Sequence, residues 1–120
     1  MILTTDEERS SIIIDAVKFT TEKGIKLGPE SWGIGWNRNQ DRYTPTNAKI
    51  CCPLAAVVLA FQDSLPRHLD YREWTIETLL SVDSAWIKGF IAGFDNKLYD
   101  RSTNREAFLI GLKMREYLKI

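Results

Sequence analysis

The chain has 120 residues, 44% apolar and 27% charged, with sixteen basic and sixteen acidic side chains and a formal net charge of zero. That length fits a single domain over 1–120 that can bury a sizeable core without a metal or disulfide staple. Zero net charge argues against non-specific binding to nucleic acid or an anionic membrane, and it leaves little long-range repulsion between copies.

The start, Met1-Ile2-Leu3-Thr4-Thr5-Asp6, has neither the basic opening nor the apolar run of a signal peptide. Thr4 or Thr5, with Glu7 and Glu8 three residues on, has capping-box spacing and predicts a helix start. Ile13, Ala16, Val17 and Thr20 fall on one helical face, with Ile12 and Phe19 beside it, and Gly24 is the expected stop.

From 25 to 50 no helical period exists. The segment holds Gly28-Pro29, Gly33, Gly35, Asn37, Asn39 and Pro45, and a loop this long is either functional or contains short strands. Trp32-Gly33-Ile34-Gly35-Trp36 and Arg42-Tyr43-Thr44 can pair as a hairpin around 37–40.

Cys51-Cys52-Pro53-Leu54-Ala55-Ala56-Val57-Val58-Leu59-Ala60-Phe61 then runs apolar until Gln62. A helix apolar on every side belongs inside a domain, and Pro53 suits its first position with Cys52 as N-cap. The run is too short to span a bilayer, which needs about twenty residues. Leu54, Val58 and Phe61 share a stripe, and Phe61→Ala is expected to cost about 3–5 kcal/mol.

Leu65-Pro66 is a break. Asp70 followed by Glu73 suggests a cap for a helix carrying Trp74, Ile76, Leu79 and Leu80, and Asp83 caps the next one. There Trp86, Phe90 and Phe94 repeat every four residues, with Ile87 and Ile91 alongside. Gly89 and Gly93, each costing about 1 kcal/mol of helix propensity, predict a close helix crossing. The last helix, about 103–118, is expected to turn Ala107, Ile110, Gly111, Met114 and Leu118 inward. The fold class is therefore mainly α: about five helices around a buried central helix near 52–62, with an irregular arm over 25–50 that can hold a short β-hairpin.

Two features carry candidate chemistry. A thiol at a helix N-terminus lies in the positive end of the macrodipole, which favours thiolate; Cys51, just outside the helix, is the better redox candidate of the pair. The alternative is that both cysteines are small buried hydrophobes. Any Cys–His pair must use His68, the only histidine, which reads as a surface turn residue. Adjacent cysteines lack the spacer of a zinc knuckle, no phosphate-cradling glycine loop is present, and so neither metal nor cofactor is expected. The second feature is the arm, where Trp32, Trp36, Arg38 and Arg42 are residue types enriched at interface hot spots; alternatively, the tryptophans cover one end of the central helix.

Trp32, the Arg42-containing polar arm and Cys52-Pro53-Leu54-Ala55-Ala56 resemble a group of short uncharacterised bacterial proteins. Those share a tryptophan, an Arg/Asp arm and a Cys-x-Leu-Gly-Ala helix start. Trp86 to Gly93-Phe94-Asp95 is similar to a second shared block. Ala55 stands where that pattern has glycine. The resemblance implies the fold and carries no activity.

The leading functional expectation is a non-enzymatic, cytoplasmic domain that binds another protein or its own copy. The alternative is a thiol-dependent enzyme or redox sensor using Cys51 or Cys52 with His68, which thiol titration of the folded protein would discriminate. Nucleic-acid binding ranks last, because Arg38 and Arg42 flank Asp41, and Arg67 and Arg72 flank Asp70.

Overall fold

The structure is a computed structural model and describes residues 5–29, 32–46, 50–64 and 72–119. Helix α1 spans Asp6–Glu22. It starts where the capping box requires: the Thr5 hydroxyl accepts from the Glu8 amide at 3.1 Å, and the Glu8 carboxylate accepts from the Thr5 amide at 3.2 Å. Its buried residues are the expected stripe, Ile13, Ala16, Val17 and Thr20. The buried Thr20 hydroxyl donates to the Val17 carbonyl at 3.0 Å, so this polar atom enters the core satisfied. Gly24 takes a φ of 79°, open to glycine without steric cost, and the helix ends there.

Four short strands follow. Strands β1 (Lys26–Leu27) and β4 (Ile50–Cys51) pair in parallel, Lys26 opposite Ile50 and Leu27 opposite Cys51, and the Gly28 amide donates to the Cys51 carbonyl at 3.2 Å. Strands β2 (Ile34–Asn37) and β3 (Arg42–Pro45) form the expected antiparallel hairpin, Trp36 opposite Tyr43. The arm is thus a hairpin whose entry and exit are closed by a parallel neck.

Helix α2 (Pro53–Phe61) is the centre of the molecule, with Pro53 through Leu59 all buried. A run buried all the way round is what a helix with no polar face demands. Phe61 is an exception to the expectation: it sits at the helix end, half-buried against the core cluster.

Helix α3 spans Arg72–Leu80, with Ile76 and Leu80 buried; Asp70 and the Trp74 side chain lie outside the described positions. Arg9 closes its C-terminus from α1. Its Nε donates to the Leu80 carbonyl at 2.8 Å and its terminal nitrogen to that of Ser81 at 3.0 Å, two acceptors that a helix end leaves unsatisfied. Asp6 pairs with Arg9 at 2.8 Å and accepts from the Trp86 indole at 3.2 Å, joining α1 to the next helix.

Helix α4 (Ser84–Phe94) is capped by Asp83, which accepts from the Trp86 amide at 2.9 Å. Helix α5 (Arg105–Leu118) is capped by Asn104. The two cross closely, as Gly89 and Gly93 predict. A Cβ on Gly93 would land on the Phe108 carbonyl oxygen, one on Gly89 on the Asn104 carbonyl, and one on Gly111 of α5 on the Phe90 carbonyl. Arg115 reaches across to accept no proton but to donate one, to the Phe94 carbonyl at 3.0 Å. On α5 the buried residues are Ala107, Gly111 and Met114, while Ile110 and Leu118 are only half-buried. The fold is mainly α, five α-helices among the described residues with one cluster of buried apolar side chains.

Candidate functional site

The cysteine pair lies where the neck enters the central helix. Cys51 is completely buried and Cys52 nearly so, and the two thiols are unbridged. Burial, and secondarily the neighbouring Cys52, pushes the Cys51 thiol up to about 12. Of the two readings of the pair, these facts agree with small buried hydrophobes and not with an outward-facing, reactive Cys51. Cys51 is itself a neck residue, paired with Leu27 and fully buried, and loss of hydration there opposes the charged form. Cys52 is the N-cap of α2 but its side chain makes no cap bond. His68 lies outside the described residues. Among those described, no group of three or more His, Cys, Asp or Glu side chains could hold a metal ion.

The arm places its aromatic residues inward and its turn outward. Trp32 and Trp36 are half-buried and pack against the core, and Trp36 meets the buried Tyr43 ring edge-on, with centroids 5.3 Å apart. The Asn37 side chain accepts from the amides of Asn39 at 2.9 Å and Gln40 at 3.2 Å, which folds the chain back on itself. Asp41 completes the turn with a φ of 54°. Residues 38–41, including Arg38, are exposed. Arg42 is partly exposed and pairs with Asp63 at 3.4 Å, beyond the end of α2.

A residue that sequence reasoning did not single out fixes the arm to the helix. The Gln62 carboxamide oxygen accepts from the Tyr43 amide at 2.7 Å, and its nitrogen donates to the Tyr43 carbonyl at 3.0 Å. One side chain thereby supplies the outer edge of β3 with the two bonds a further strand would make. Pro45 has no N–H and stands opposite Ile34, two positions along the same edge, where no ladder bond is lost. The only signal in the sequence was position: Gln62 is the first polar residue after the apolar run.

The structure therefore gathers Trp36, Arg42, Tyr43, Gln62 and Asp63 at one end of α2, with Arg38 at the exposed tip and Trp32 at the base. It does not bring the cysteines into that group. Comparison with protein-family models, with curated proteins and with solved structures finds no match for this chain. Among the described residues, no helix is long and apolar enough to cross a membrane.

Proposed function

We propose that the chain is a non-enzymatic protein-interaction domain whose arm is the recognition surface. The observation that carries this reading is the way the hairpin is held. The β1–β4 ladder closes its base and Gln62 clamps β3, while residues 38–41 stand in solvent. A loop fixed before its partner arrives has less ordering entropy to lose on binding, and tryptophan and arginine are both enriched among hot-spot residues. The proposed setting is the reducing cytoplasm, which two neighbouring unbridged thiols suit. The thiol-enzyme reading has less support, since Cys51 is buried and held as the neutral thiol.

Trp36 packs against Tyr43 and the core, so its removal would mix stability with binding. The test therefore uses the double variant Arg38→Ala/Arg42→Ala. The Arg42–Asp63 pair is solvent-exposed and worth about 0.2–1 kcal/mol, so the melting temperature should stay within a few degrees. Affinity capture with the folded full chain, quantified by mass spectrometry, should find proteins that wild type enriches and the double variant loses by about tenfold or more, as expected when hot-spot side chains are truncated. Identical capture by both chains would remove the arm from recognition.

A further inference from the structure

A second surface, remote in sequence from the arm, lies between α1 and α5. A groove of about 660 Å³ opens there, with Ile14, Ile110, Met114 and Tyr117 as its apolar lining. Tyr117 is 60% exposed, the largest exposure of any aromatic side chain among the described residues. On α1 the groove is edged by Asp6, which is already paired with Arg9, and by Glu7, Ser10, Ser11, Asp15 and Lys18, and on α5 by Lys113.

The order of the α1 edge residues from Glu7 to Lys18 is self-complementary. Turn one α1 end for end against another, with the two-fold axis passing between Ile12 and Ile13. Glu7 then stands opposite Lys18, Ser10 opposite Asp15, and Ser11 opposite Ile14. Each acid meets a cation or a hydroxyl donor, and no like charges face each other. Glu7, Ser11, Ile14 and Lys18 are also spaced four, three and four residues apart, which keeps them on one seam of an antiparallel helix pair. The two serines are small and permit close approach. A parallel arrangement would put Glu7 on Glu7 and Lys18 on Lys18.

We propose that the α1–α5 groove is a homodimer interface, occupied by a second copy of this chain in an isologous, antiparallel arrangement, with Tyr117 of each copy seated against the other. A two-fold interface must be self-complementary, and this seam has that property. The inference does not depend on the arm, which lies on other elements.

Sedimentation equilibrium of the full chain across a concentration series tests it. Wild type should reach a dimer, and Tyr117→Ser, which changes an exposed side chain, should keep its melting temperature and shift the chain to monomer. Glu7→Lys and Lys18→Glu should each weaken the dimer by about tenfold, because symmetry turns two attractive pairs repulsive at once. Glu7→Lys/Lys18→Glu in one chain rebuilds both pairs in reverse and should restore association. Three results would overturn the proposal: a monomer at every concentration, which leaves the groove to another occupant; a dimer that Tyr117→Ser does not weaken; or a doubly swapped chain no better than the single variants. Arg38→Ala/Arg42→Ala should leave the dimer intact; loss of the dimer in that variant, which would move self-association to the arm, is a fourth result that would overturn the proposal.

Discussion

Gly93→Leu is expected to be among the most destabilising single changes in this chain. The Cβ alone would overlap the Phe108 carbonyl oxygen, with the Leu112 amide nitrogen close behind. Backbone atoms of a packed helix cannot swing aside as a side-chain end can, so α4 and α5 must separate. Overpacking of this kind costs about 1–3 kcal/mol and sometimes more, and a separated crossing would also expose part of the apolar surface between the helices. Gly111→Leu should behave alike, because its Cβ would meet the Phe90 carbonyl from the opposite side. Urea denaturation should show a lower midpoint with an unchanged slope for both. A wild-type midpoint for either would mean that the crossing is wider than described.

Phe90→Ala should cost about 3–5 kcal/mol, the range for removing a buried phenylalanine without collapse of the cavity. Phe90 is 1% exposed and lies between Trp86 and Phe94, with ring centroids at 5.6 and 6.3 Å and near-parallel planes. Rings locked on both sides relax poorly into a void, and the loss is a large share of the roughly 5–15 kcal/mol that stabilises a typical domain. Leu54→Ala, also at full burial, should cost about 2–5 kcal/mol. Phe61→Ala should cost less than the figure expected from its place in the apolar run, since Phe61 is half-buried. If thermal or urea unfolding ranks Phe61 above Phe90, the centre of the core has been misplaced.

These sites show which parts of the fold were legible in the sequence. Local chemistry was readable: the Thr5–Glu8 capping box, the Asp83 cap, the stripe from Ile13 to Thr20 and a hairpin, expected from 32–36 with 42–44 and found over 34–37 with 42–45, all depend on residues near one another in the chain. The crossing at Gly89 and Gly93 was readable because two glycines in an apolar helix need a compensating contact. Long-range pairings were not. The β1–β4 neck joins residues on either side of 28–49 through strands of two residues each, too short for any alternation to register. Gln62 imitates a strand with a side chain, and Arg9 closes a helix from another part of the chain, neither of which leaves a local pattern. For Cys51 the sequence left two readings, a thiol just outside the helix and a small buried hydrophobe, and what separates them is the long-range pairing of β4 with β1, of which Cys51 is part.

In the candidate site, the residue types were readable and their roles only partly so. Trp32, Trp36, Arg38 and Arg42 do share one arm, but the tryptophans lean on the core and the arginines remain toward solvent. The aromatic side of the arm packs against the core, and its turn, residues 38–41, is exposed.

The claim on which this functional account rests is that the arm is fixed in place before any partner arrives. Amide hydrogen exchange on the free full-length chain tests it most directly. The Tyr43 amide is held by Gln62 and the Thr46 amide by the Gly33 carbonyl at 2.9 Å, so both should exchange far more slowly than the amides of 38 and 41 in the turn. Gln62→Ala should release Tyr43 while the helices keep their protection. Exchange at unfolded-chain rates throughout 34–46 in wild type would contradict the account, because an arm that orders only on binding is not a preformed recognition surface.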